Sequence, residues 1–142
     1  MTSYDEILFP TDGSEGSMTA FEHAIAQARL HDARLHVLYV VDTTYAGVGS
    51  MDAAITALRE RGETTVEDVA ERAQAAGIEV VRHVGEGDPY RTIIGYADER
   101  EIELIVMGTS GRSGLDRYLL GSVAEKVVRT ADAPVLTVRT ES

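Results

Sequence analysis

Cysteine and tryptophan are absent, proline occurs three times, and Lys126 is the only lysine in a chain of 142 residues. Without cysteine there are no disulfides, no thiolate zinc clusters and no thiol nucleophile. No apolar run approaches the roughly 18 residues that a membrane span needs, and no basic stretch followed by an apolar one opens the N-terminus. The expectation is a soluble, unexported, cytoplasmic protein. Basic residues are also few, 13 against 24 acidic ones, for a net charge of -11. Such a field repels nucleic acid and anionic membranes, so neither is an expected partner. The near absence of lysine has two readings. A salt-adapted surface uses dense carboxylates for solvation and salt for screening, while a GC-rich genome favours arginine for reasons unrelated to the surface.

What is present suits one globular domain with one fold core, since hydrophobic residues make up 44% and charged residues 26%. Asp5 to Pro10 is a short apolar run that ends in the turn residues Pro10-Thr11-Asp12-Gly13. Ser14 and Ser17 are candidate N-caps for a helix whose apolar positions, Met18, Phe21, Ile25 and Ala28, are three and four residues apart. Arg34 to Val41 is β-branched and apolar, a second strand ending at Asp42. Thr43 to Ser50 has no periodicity and reads as a loop. Ile55, Leu58, Val66, Val69, Ala73 and Ala76 share one helical stripe with Gly62, and Gly77 is its stop.

Ile78 to Val84 is the third strand. Asp88-Pro89 then places an N-cap before a proline at the first helical position, opening a helix through Ile93, Ile94 and Ala97. Leu104 to Met107 is wholly apolar, as a strand covered on both faces would be. A glycine-rich stretch from Gly108 to Gly121 leads to a helix marked by Leu120, Val123, Val127 and Ala131, and Ala133 to Arg139 is a fifth strand. Strands alternating with helices predict right-handed crossovers and hence a single α/β domain: an open five-stranded parallel sheet with helices on both faces, Rossmann-like. Ligands of such sheets lie beyond the carboxyl ends of the strands where the winding reverses. The ends richest in turn residues are Pro10-Thr11-Asp12-Gly13 and Gly108-Thr109-Ser110-Gly111, which locates the crevice.

The run Met107-Gly108-Thr109-Ser110-Gly111-Arg112-Ser113-Gly114, followed after six residues by Gly121-Ser122-Val123, lies between a buried strand and a helix. Glycines let the backbone approach an anion, and free N–H groups at a helix N-terminus point at negative charge. Because the global field opposes an anion, the local field would come from these donors with help from Arg112 and Arg117. A strand-to-helix connection whose glycines only make turns is the competing reading. Gly108, two residues, Gly111, nine residues and Gly121-Ser122 resembles the nucleotide-binding signature of the universal stress protein family. The resemblance spans essentially the whole chain: ILFPTDGS at Ile7 to Ser14, VVD at Val40 to Asp42, GEGDP at Gly85 to Pro89 and the closing APVLTVR.

The resemblance implies an ATP-binding member with the adenine nucleotide hydrolase-like fold and strand order 3-2-1-4-5. Pro10, Thr11, Asp12 and Val40 would contact adenine, with Met107 beneath. Gly108, Gly111, Gly121, Ser122 and Val123 would hold ribose and phosphates, with Ser110, Arg112 and Ser113 near, and Mg2+ would arrive with the phosphates. It also implies a homodimer through the last strand. The residues give the same hint, because Val135 to Val138 would otherwise be an open apolar edge; an edge blunted by Arg139 would leave a monomer. Tyr45, Gly47 and Gly49 either fold over the ligand as a lid or belong to an ordinary connection.

Other chemistries lack their residues. No lysine stands in a GxxxxGK[ST] loop, no GxGxxG follows the first strand, and Ser110 and Ser113 only approach a GxSxG elbow. A phosphoacceptor after the third strand and a lysine after the fifth are missing, as are HIGH and SGGxDS. His23, His31, His36 and His83 form no i, i+4 pair and read as structural or surface residues, His31 complementing a helix C-terminus. Asp12 reads as a ligand contact and Asp42 as a cap, neither within a catalytic arrangement. The expected protein is a nucleotide-dependent stress-response or signalling dimer with little or no ATP hydrolysis. Its rivals are an interaction protein with a vestigial or differently filled pocket, and a slow ATPase or adenylyl-transferring enzyme.

Overall fold

The computed structural model describes residues 3–44, 52–109 and 121–139. The chain runs β1 (Glu6–Pro10), α1 (Glu15–His31), β2 (Arg34–Asp42), α2 (Asp52–Ala75), β3 (Val80–Gly87), α3 (Pro89–Glu99), β4 (Leu104–Gly108), α4 (Ser122–Thr130) and β5 (Val135–Val138). All strand pairs are parallel, in the order β3-β2-β1-β4-β5. The expected fold class and strand order are those found.

Alternation along the strands divides the core in two. Ile7 and Phe9 of β1, Leu35, Val37, Tyr39 and Val41 of β2, and Val106 of β4 face one side, where Ala20, Ala24 and Ala28 of α1 and Val66, Val69 and Ala73 of α2 cover them. Leu8, Leu38, Ile105 and Met107 face the other side, beneath Ile93, Tyr96 and Ala97 of α3 and Ala124 and Val127 of α4. The first two crossover helices therefore share one face, the last two share the other, and the winding reverses between β1 and β4.

Local signals account for most boundaries. Ser14 caps α1 by accepting the Ser17 N–H at 3.2 Å, so Ser17 is the capped residue rather than a second cap. The face of α1 that is fully buried is Ala20, Ala24 and Ala28, whereas Met18, Phe21 and Ile25 pack at its margin. Small side chains let the helix axis approach the sheet, and the larger ones fill the flanks. α2 ends as Gly77 N–H bonds to Gln74 O at 2.9 Å and Ile78 N–H to Ala73 O at 3.1 Å. β3 begins two residues later than its apolar run suggests and extends to Gly87, because pairing with β2 continues to Asp42 opposite Gly87. β5 is limited to Val135–Val138 by its register with β4.

Candidate functional site

The carboxyl ends of β1, β2 and β4 open into a cavity of about 370 Å³, within the size range of small-molecule sites. Pro10 to Asp12 form its floor at the β1 end. Thr11 N–H reaches Leu38 O at 2.9 Å, carrying the β1–β2 pairing one residue past the strand. The turn that follows is tied three times: Gly13 N–H donates to Thr11 Oγ1 at 3.1 Å, Ser14 N–H donates to Asp12 Oδ1 at 2.9 Å, and Thr11 Oγ1 is hydrogen-bonded to Ser17 Oγ. Asp12 therefore shapes its own turn through one oxygen while the residue lines the cavity.

The β2 end supplies Val40, Val41 and Asp42, and Leu58 of α2 and Pro89 and Ile93 of α3 close the flanks. Asp42 accepts the Thr44 N–H at 2.9 Å, the capping role that its position suggests, yet it also lines the cavity. On the opposite side stand Met107, Gly108 and Thr109 at the β4 end, with Gly121, Ser122, Val123 and Ala124 at the start of α4. Gly121 is the N-cap of α4 in extended conformation and provides no side-chain cap, so the first N–H groups of that helix receive no side-chain bond. The N-termini of α3 and α4 thus contribute lining residues, and the start of α1 adds Ser17; their positive dipole ends oppose the acidic global field.

Of the residues that the sequence assigns to the site, Pro10, Thr11, Asp12, Val40, Met107, Gly108, Gly121, Ser122 and Val123 all line this one cavity. Ser110, Gly111, Arg112 and Ser113 lie outside the described residues, as do Tyr45, Gly47 and Gly49 of the candidate lid. Gly108 has a role beyond the one expected: a Cβ there would stand 2.8 Å from the Gly16 carbonyl oxygen, so its bareness is required by α1 packing on β4. Sequence reasoning set the crevice at the strand end that holds Thr109 but assigned that residue no contact, and it missed lining residues such as Ser17, Tyr39, Leu58, Pro89 and Ile93. Most of these are apolar or small residues at strand and helix ends, where pattern alone cannot separate core from cavity wall.

The histidines lie elsewhere. His23 is exposed, His31 in the last turn of α1 meets the Tyr4 ring edge-on at 4.8 Å, and His83 is exposed beside the Tyr96 ring. His36 is buried near the opposite end of the sheet, with Nε2 2.6 Å from Glu6 Oε1 and Nδ1 2.7 Å from the Tyr96 hydroxyl. Among the described residues no group of three His, Asp or Glu side chains is placed to hold a metal ion.

Fold and site together define a doubly wound α/β protein with a ligand-sized crevice at its topological switch point. The chain belongs to the universal stress protein family, whose model matches residues 3–139. It is 40% identical over 140 residues to a universal stress protein of Methanocaldococcus jannaschii, the match spanning 96% of this chain and 82% of the relative. Its fold resembles that of the universal stress protein UspA from Lactobacillus plantarum, with a TM-score of 0.87 at 30% identity over 98% of this chain and all of the other. A universal stress protein solved in complex with cAMP superposes with a TM-score of 0.73 at 28% identity, over 99% of this chain and 100% of that one.

Proposed function

We propose that this protein binds an adenine nucleotide, ATP, in the cavity at the β1–β4 switch point and acts as a nucleotide-dependent stress-response or signalling protein. The observation that carries the reading is the convergence of nine residues, from four separate segments, on one cavity. The cAMP complex of a related protein supports the ligand class. The uncapped start of α4 suits a phosphate, and the apolar wall of Val40, Leu58, Ile93 and Met107 suits a purine. Mg2+ would be held chiefly by the phosphates themselves, since the acidic residues at the described cavity are Asp12 and Asp42.

The same two carboxylates bear on hydrolysis. Each accepts a backbone N–H two residues ahead, a turn-forming role, and no His, Lys or Arg among the described cavity residues stands with them as a catalytic partner. Little or no intrinsic hydrolysis is the reading we hold. We further read the functional unit as a cytoplasmic homodimer joined along β5, the strand at one end of the sheet order.

Calorimetric titration of the purified protein with ATP and Mg2+ in molar potassium chloride, after mass spectrometry for co-purified nucleotide, tests the ligand. The expected outcome is saturable binding at one site per chain, abolished by Gly121→Val with helical content retained. Absence of both binding and carried-over nucleotide would overturn the reading and favour a protein-interaction role for the domain.

A further inference from the structure

Thr109 is the cavity residue whose chemistry is left incomplete. Its backbone is fixed on both sides: its N–H donates to Val138 O of β5 at 3.0 Å, and its carbonyl accepts the N–H of Gly121, the cap of α4. Its side chain is in the opposite condition. The residue is only 7% exposed, and Oγ1 is shielded from solvent with no hydrogen-bond partner. Burying an unpaired hydroxyl is unfavourable, and native structures rarely keep one without a reason. In this rotamer Oγ1 is closed to the cavity, and with the backbone pinned, rotation about Cα–Cβ is the freedom that brings the hydroxyl to a partner there.

Two further facts say what that partner is. Thr109 lines the same cavity as Ser122 and Val123, and its own carbonyl anchors the N-terminus of α4, where no side chain caps the first N–H groups. Those amides are donors awaiting an acceptor, and a threonine hydroxyl is a donor that can join them. The ligand atom that satisfies such a set is an oxygen carrying negative charge. We propose that Thr109 is a ligand-binding residue whose hydroxyl donates to a phosphate oxygen of the nucleotide held at the start of α4. The proposal rests on the nucleotide reading of the cavity and assigns within it a contact absent from the sequence-based site.

The test is Thr109→Val, which keeps the β-branched shape and removes the hydroxyl, with Thr109→Ser as the variant that keeps the donor. Titrations use ATP with Mg2+, and separately adenosine, which lacks the phosphate. The expected result is a loss of about tenfold or more in ATP affinity for Thr109→Val, the size of one hydrogen bond to a charged acceptor, with adenosine affinity unchanged and ATP binding largely retained by Thr109→Ser. The unliganded Thr109→Val protein should melt at or above the wild-type temperature, because an unpaired buried donor has been deleted. Equal ATP affinity in Thr109→Val and wild type would overturn the role of Thr109 while leaving the nucleotide reading standing. A matching loss for adenosine, or a lowered melting temperature without ligand, would also overturn it by assigning the hydroxyl to the nucleoside or to the scaffold. Wild type that binds neither compound would overturn the nucleotide reading and this one with it.

Discussion

His36 shows how a single residue ties the lower half of the sheet together. A carboxylate can only accept, so the imidazole carries its proton on Nε2 toward Glu6, and Nδ1 receives the Tyr96 hydroxyl. Burial pushes the Tyr96 phenol above its ordinary range, which keeps that donor protonated. Burial likewise holds His36 below its ordinary value of 6.5 and outweighs the attraction of Glu6, with Arg100 and Arg34 acting in the same direction as burial. The sign of the linkage follows. The unfolded chain takes up a proton that the native imidazole resists, so the stability His36 confers is full above about 6.5 and is lost as pH falls through the depressed native value. Urea midpoints compared between wild type and His36→Gln should therefore converge as pH drops from 7.5 to 5. A gap that stays constant over that interval would show that His36 does not titrate with folding.

At the scale of elements, the position of α2 over the cavity depends on a contact between a helix and a strand. Gly62 lies against the buried ring of Tyr39, and a Cβ at that position would be 2.6 Å from Cδ1 and 3.0 Å from Cε1. Alanine is the better helix former by about 1 kcal/mol, whereas overpacking a closed core costs about 1–3 kcal/mol. The steric term prevails because Tyr39 is only 1% exposed and belongs to the main core cluster. Gly62→Ala should lower the melting temperature. It should also weaken nucleotide binding, since Tyr39 and Leu58 both line the cavity and α2 carries Leu58. A variant as stable as wild type would mean that the Tyr39 ring can shift freely.

Elements were also the level at which the sequence was most readable. Apolar runs and capping residues located the nine elements of the described residues, and parallel pairing followed from their alternation, while the strand order came with the family resemblance. Boundaries failed where pairing decided them: β3 runs on through Gly85, Glu86 and Gly87, residues with no strand signature, because β2 lies alongside them. The site was legible where turn and glycine residues mark strand ends. Tyr39 and Ile93 were hidden because the same hydrophobic character serves a core position and a cavity wall, and the contact of Thr109 was hidden although its strand end was marked. The Glu6–His36–Tyr96 chain was invisible for another reason: its members lie 30 and 60 residues apart and meet only when β1, β2 and α3 are assembled.

Over the whole molecule, a charge of -11 sets the conditions for self-association. Two such chains brought together along β5 would concentrate like charge, and the repulsion between them falls as the Debye length shrinks from about 10 Å at 0.1 M salt to about 3 Å at 1 M. The attraction does not weaken in the same way. Val135 and Leu136 are only partly buried within one chain, and the apolar area they would lose to a partner is stabilising at any ionic strength and more so with strongly excluded salts. The proposed dimer should therefore tighten with salt. Light scattering on a sizing column is expected to give a larger dimer fraction in 1 M potassium chloride than in 0.05 M at the same protein concentration. Dissociation as salt rises would instead mark an interface held by ion pairs, and a monomer throughout would remove the dimer from the proposed function while leaving the proposal of a nucleotide in each chain's cavity untouched.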